Sequence, residues 1–200
     1  MRTAVHWNAM TEQSTSTRSS TASRARPRRT PVILQALEGA ELIHVVAGWL
    51  AQKENYQWLD FGDGTRALAP AWLKIMTQRK NAVLRVYTTD EHAAPIGLVG
   101  LDDVNRTYRT ARIWAVAGDK SFAARGYSTR AVSAMLTFGF RELGLHAINT
   151  WVVEGNPSVR VVERLNFRFL GRQRQCHYID GRPYDRLWFD LLASEHPTSE

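Results

Sequence analysis

The 200-residue sequence predicts one α+β (α/β) domain, and three observations carry that expectation. From Pro31 onward, blocks of period-two and period-3.6 hydrophobicity alternate without an internal repeat. Three β-rich runs then follow one another across short turn signals, as in an antiparallel meander. Finally, a glycine turn opens a helix whose apolar residues Val132, Met135, Leu136, Gly139 and Leu143 share one face.

The elements are expected in order. Pro31 to Leu37 reads as a strand, Ala40 to Ala51 as an apolar helix, and Pro70 to Met76 as a helix with proline where a missing N–H costs nothing. AVLRVYTT, PIGLVGLDDV and ARIWAVAG are the three meander strands. The helix from Gly126 to Leu143 ends naturally at Gly144. AINTWVV is a strand, PSVRVVERL a short helix, and RFLGRQRQCHYI and RPYDRLWFDLL two strands joined at Asp180-Gly181, a strong hairpin signal.

Composition bounds the chain further. The formal charge is +7, but residues 1–30 hold six arginines against one acid, so the remainder is close to balance. That segment is rich in Ser and Thr and lacks apolar periodicity, so 1–30 is expected as a disordered basic tail, 31–193 as the folded domain, and 194–200 as a frayed tail. A transit peptide, or a start site placed upstream of the true one with Met10 as an alternative, would both look like this tail. No run is long and apolar enough for a membrane span, and no signal-peptide core precedes the domain, so a soluble cytoplasmic protein is expected. Cys176 is the single cysteine, which excludes an internal disulfide and a cysteine-rich metal site.

The stretch SFAARGYSTRAVSAML places Gly126 between small and hydroxyl residues at a helix start, where unpaired N–H groups and the helix dipole converge on an anion. A P-loop and a dinucleotide fingerprint are both absent. An ordinary helix start capped by Ser128 or Thr129 is the competing reading.

PIGLVGL, RGYSTRAVSAMLTFGFRELGLHAINTWVV and NPSVRVVERLNFRFLGR together resemble the GNAT superfamily of acyl-CoA N-acyltransferases, in particular its ribosomal-protein N-acetyltransferase-like branch. The resemblance spans about Pro31 to Leu192. It implies a mostly antiparallel sheet with a splay between the fourth and fifth strands, here Thr110 to Val116 and Ile148 to Val153, that admits the pantetheine of acetyl-CoA. The family turn begins with a polar residue where this chain has Ala123, and the family glycine after the short helix is Asn166. By this resemblance the cofactor-binding residues are Ala124, Arg125, Gly126, Tyr127, Ser128, Thr129, Ala115, Val116 and Asn156, the last displaced by one residue from the usual spacing.

The implied reaction is direct attack of an acceptor amine on the thioester, helped by positioning and by backbone N–H groups facing the developing oxyanion. Ser158 matches the branch's serine near the sulfur and is the candidate acid; a helix N-cap is its plainer role. The helix tyrosine of another group is replaced by Val162. The strand acids of some relatives fall near Thr150 and Arg112, so Glu154 is the first candidate base, with Asp102, Asp103, His146 or a water chain behind it. Trp58, Asp60 and Tyr178 are the expected acceptor-binding residues, with Asp63 on the same loop; Trp58 as plain core and the hairpin arginines Arg172 and Arg174 as edge protection are the alternatives.

The acceptor is thus a primary amine of a small molecule, an amino sugar or a protein N-terminus, with a homodimer compatible. A non-catalytic acyl-CoA-binding sensor of the same fold is the second reading. An RNA-associated protein using SRARPRR as an electrostatic arm is the third, and nucleic acid is otherwise not expected as a partner. No metal is expected.

Overall fold

The computed structural model describes residues 32–60, 70–89 and 94–197. The basic tail 1–30 and Asp63 lie outside the described residues.

Among the described residues seven strands form one sheet: β1 Ile33–Ala36, β2 Val83–Thr88, β3 Pro95–Asn105, β4 Thr110–Ala117, β5 Ala147–Val153, β6 Arg168–Ile179 and β7 Arg182–Leu192. Their order is β1-β2-β3-β4-β5-β7-β6. Every neighbouring pair is antiparallel except β4 and β5. The helices are α1 Ala40–Leu50, α2 Lys53–Tyr56, α3 Pro70–Thr77, α4 Tyr127–Arg141 and α5 Val159–Arg164, with one 3-10 turn at Lys120–Phe122.

Strand alternation sorts the core onto the two faces of the sheet. On one face Val99, Leu101, Ala111, Ile113, Ile148 and Val152 pack under the α4 stripe of Ala131, Val132, Met135 and Leu136. On the other, Leu84, Val86, Leu98 and Val116 pack under Val46, Ala47 and Leu50 of α1 and Leu73 and Met76 of α3. Central strands covered on both faces read as continuous apolar runs, which is why PIGLVGL lacks strict alternation.

The expected strand and helix order is the observed one. β5, β6 and β7 match the residues read from the sequence, and Asp180 and Gly181 both take positive φ, 51° and 73°, as a two-residue hairpin turn requires. The first strand is shorter than Pro31 to Leu37, and α4 stops at Arg141 rather than Leu143. The one-turn helix α2 was not anticipated: four residues are too short to show a period.

The C-terminal residues correct the expectation of fraying over 194–200 as far as Pro197. His196 is buried, with Nε2 at 2.8 Å from the Thr137 hydroxyl and its ring 5.5 Å from that of Phe140. Glu195 folds back to accept the Leu192 N–H at 3.0 Å. A polar pentapeptide gives no hint that one of its side chains will find a berth on a distant helix.

Among the described residues no helix is long and apolar enough to cross a membrane. No group of His, Cys, Asp and Glu able to hold a metal ion occurs there either.

Candidate active site

The parallel pair at the sheet centre is paired over only part of its length. β4 and β5 are in register at Thr110/Ala147, Ala111/Ile148 and Arg112/Asn149, and pairing ends there. Beyond this fork Ile113–Ala117 and Thr150–Val153 form the two arms of an opening, because each is held by its outer neighbour, β3 and β7. The Thr150 hydroxyl donates to the Ile113 carbonyl at 2.8 Å, filling the first acceptor that the missing ladder would leave bare.

Further along the same edge, the Ala117 carbonyl accepts from Lys120 Nζ at 2.8 Å, and the same ammonium reaches the buried Asn55 side chain of α2. Burial pushes the Lys120 ammonium below its usual pKa. Residues two apart on a strand turn their backbone groups to the same side, so Ala115, between Ile113 and Ala117, presents its N–H and C=O to the gap. Val116 turns the other way: it sits in register with Leu98 of β3, and its carbonyl accepts the Tyr87 hydroxyl at 3.3 Å. Of the two strand residues expected to meet the ligand through the backbone, Ala115 is the one the register favours.

The start of α4 stands at the open end of the gap, where the chain returns from β4 through the 3-10 turn. Its N-cap is Gly126 in the left-handed region, φ 80°, with no side-chain cap and no acidic residue in the first turn. Ala124 also takes a positive φ of 60°, an uncommon conformation for a residue with a Cβ. The Ser128 hydroxyl does not cap the helix; it lies 2.9 Å from the Tyr87 hydroxyl. The amides of Tyr127, Ser128 and Thr129 therefore face outward at the positive end of the helix dipole, with small residues in front of them. Arg125 and Arg130 flank this end, their guanidinium groups over the rings of Phe122 and Tyr127 at 5.4 and 4.5 Å.

Across the gap, β5 runs into the turn that starts α5. Asn156 Oδ1 accepts the Ser158 N–H at 2.8 Å, while the exposed Ser158 makes no side-chain cap bond. Its hydroxyl is thus not occupied by the plainer role. Glu154, at the end of the β5 arm, pairs with Arg172 of β6 at 2.8 Å, and Arg172 also holds Asp185 of β7 at 2.8 Å. The N–H of Gln175 and the Arg172 guanidinium hold the Asp185 carboxyl below the usual carboxylate range.

At the fork, on the α1–α3 face, lies a charge network that the sequence reading named only in part. Arg112 makes a two-pronged contact to Asp102 at 3.1 and 3.0 Å, and also reaches Asp103 at 3.2 Å and Asp60 at 3.8 Å. Burial pushes the Asp102 carboxyl up, with Arg112 opposing that shift. Asp60 also faces Arg186 of β7 at 3.5 Å. Arg186 lies 3.9 Å over the Trp151 ring and contacts His177 Nδ1 at 3.1 Å. His177 Nε2 in turn meets the Gln57 carbonyl at 2.6 Å, and burial lowers the His177 pKa. Asp60, Asp102, Asp103 and Arg112 line a cavity of about 160 Å³ together with Trp72 and Arg79.

The geometry thus gathers Asp60 at the fork and leaves Trp58 half-buried beside it. Tyr178 stands 65% exposed near the hairpin tip, apart from this network. Asp102 and Asp103 are held by Arg112, and the exposed His146 sits at the start of β5, the closed end of the pair, with its N–H on the Arg109 carbonyl. Arg112, Arg186, His177 and Lys120 were not picked as site residues. Only the alternation of Arg112 with Trp114, and of Arg186 with Trp188, hinted that these charges share a face, and alternation does not say which neighbour they meet.

Comparisons with known proteins agree with this architecture. Residues 32–168 match the family model described as an acetyltransferase (GNAT) domain. YdaF of Bacillus subtilis (strain 168), provisionally named a ribosomal N-acetyltransferase, is 30% identical over 102 residues, covering 50% of this chain and 54% of that protein. The uncharacterized N-acetyltransferase p20 of Bacillus licheniformis is 28% identical over 125 residues, covering 62% of this chain and 68% of its own. The chain spans about half the length of YdaF that it matches. Among solved structures, the spermidine N-acetyltransferase from Vibrio cholerae in complex with CoA and spermine superposes with a TM-score of 0.71 at 20% identity, covering 82% of this chain and 96% of that one. A match across residues 32–168, on a sheet whose central parallel pair opens beside an uncapped helix start, means that this chain belongs to the GNAT acetyltransferase family.

Proposed function

We propose that this chain is an N-acetyltransferase that moves the acetyl group of acetyl-CoA to a primary amine of a small molecule, an amino sugar or a protein N-terminus. The observation that carries the reading is the end of β4–β5 pairing at Arg112/Asn149, with the uncapped start of α4 at the open mouth. The outward amides of Tyr127, Ser128 and Thr129 suit a diphosphate, and Ala115 offers a donor and an acceptor to the pantetheine amides. Ala123, Ala124 and Gly126 leave room for close approach. Acetyl-CoA, when bound, supplies the activated acyl group.

The acceptor ammonium first gives one proton, through water, to Glu154, which is positioned by Arg172. The free amine then attacks the thioester carbonyl carbon; a C–N bond forms and the C–S bond breaks. Ser158 passes its hydroxyl proton to the departing sulfur and takes up the second amine proton in return, so the hydroxyl is restored. Asp60, which faces the fork cavity from the α2 side between Arg112 and Arg186, is the residue placed to meet the acceptor. The Vibrio cholerae spermidine N-acetyltransferase is a complex with CoA and spermine, which is in keeping with an amine acceptor here.

Acetyl-CoA-dependent thiol release across a panel of polyamines, amino sugars and N-terminal peptides tests the reading. At least one amine is expected to accelerate release; CoA binding without turnover on any of them would favour a sensor domain instead. With an accepted amine, Ser158→Ala is expected to lower kcat about a hundredfold, the lower range for a positioned acid, with the KM for acetyl-CoA little changed. An unaltered kcat would remove Ser158 from the chemistry.

A further inference from the structure

Tyr87 is one of the largest fully buried side chains in the protein, at 1% exposure, and the reaction as described does not use it. It stands on β2, yet its hydroxyl meets partners two strands away. β2 and β3 are in register at Tyr87/Gly97, and a Cβ on Gly97 would lie 2.2 Å from the Tyr87 ring, so the phenol crosses β3 over the one residue that leaves it room. Beyond Gly97 the hydroxyl contacts the Val116 carbonyl of β4 at 3.3 Å and the Ser128 hydroxyl of α4 at 2.9 Å.

The hydrogen-bond inventory allows one arrangement that satisfies both contacts. A carbonyl can only accept, so the phenol gives its single proton to Val116 and accepts the proton of Ser128. Burial pushes the phenol up to about 12, so it is a neutral donor across the working pH range.

The two ends of this bond chain belong to different halves of the candidate ligand site. Ser128 is in the first turn of α4, whose amides face the diphosphate position. Val116 is the immediate neighbour of Ala115 on the β4 arm that faces the pantetheine position. We propose that Tyr87 is a positioning residue for acyl-CoA, a buried strut that holds the diphosphate end of α4 in register with the β4 arm so that both halves of one ligand engage together. The inference rests on the acyl-CoA reading of the gap. Its energetic logic is that of linked half-sites: the strut adds little to either half and acts on the advantage of joining them.

The test uses the full chain and three probes: CoA, 3′-phosphoadenosine 5′-diphosphate as the diphosphate half, and pantetheine as the other half. Tyr87→Phe is expected to weaken CoA about three- to tenfold, the worth of one ordinary hydrogen bond, while each half binds within about twofold of its original affinity. The KM for acetyl-CoA should rise by the same factor with kcat at saturation unchanged, a split that general loosening of the fold would not produce. Ser128→Ala removes the same bond from the other side without touching the core. It should reproduce the loss, and the double variant should be no weaker than either single one. Unchanged CoA affinity in both single variants overturns the proposal, as does an equal loss for 3′-phosphoadenosine 5′-diphosphate, which would mean the turn itself had deformed. Failure of the unsubstituted protein to bind CoA would instead overturn the acyl-CoA reading, before any variant is made.

Discussion

Gly126→Glu is expected to abolish CoA binding while leaving a folded protein. Two effects add at this position. The backbone sits at φ 80°, so any side chain is strained there by about 1 kcal/mol, and the new Cβ would stand 3.3 Å from an Arg130 guanidinium nitrogen. The larger effect is charge. A carboxylate about 4 Å from a phosphate at an effective dielectric of about 20 costs about 4 kcal/mol, or about a thousandfold in Kd. Gly126→Ala isolates the backbone part and should lower Tm by a few degrees with only a modest loss of affinity. Calorimetry with CoA, alongside thermal melts of both variants, checks the separation. CoA affinity unaltered in Gly126→Glu would mean that the diphosphate lies elsewhere.

Arg112→Met is expected to produce the largest loss of stability among the charged residues of the site. Methionine replaces the aliphatic length of arginine but strands Asp102, which is 7% exposed and receives its two-pronged contact from this guanidinium. Removing one partner of a buried pair costs about 3–5 kcal/mol, and this pair is not fully enclosed, so about 2–4 kcal/mol is expected at pH 7.

The loss should depend on pH with a definite sign. The folded-state pKa of Asp102 already lies above its unfolded value, because burial outweighs the help of Arg112. A carboxyl raised in the folded state contributes stability at low pH, and that contribution is lost as pH rises through the folded value. Without Arg112 the folded value rises further, so the variant should regain stability relative to the parent protein as pH falls from 7 toward 5. Urea denaturation midpoints at the two pH values measure this. A pH-independent difference would show that Asp102 is not the group left uncompensated.

Much of the fold was legible because its signals are local. The amphipathic stripe from Val132 to Leu136, the Asp180-Gly181 turn and the Gly144 stop each state a backbone requirement within a few residues. The family motifs likewise located the β4–β5 gap and the α4 turn. The contacts across the fork were less legible. Arg112 was read as the replacement for a missing acid, yet it is the centre of a network joining residues as distant in sequence as Asp60 and Asp102. Glu154 reads from the sequence as the first candidate base, but the partner it meets is set by strand order: β7 lies between β5 and β6, and Arg172 reaches across it. Ser128 was read as a cap or a phosphate contact; Tyr87, 41 residues away, takes its hydroxyl instead.

By itself the sequence determined the alternation of elements, the boundaries of the later strands and the presence of a glycine-led helix start. Those depend on periodicity and on residues whose backbone preferences act within one turn. Tertiary structure alone decided where the parallel pair stops, which backbone edge faces the opening, and which charges meet at the fork. Each of these is a contact between segments far apart along the chain, and such contacts are selected by how whole faces pack, a choice to which no short stretch of residues is sensitive.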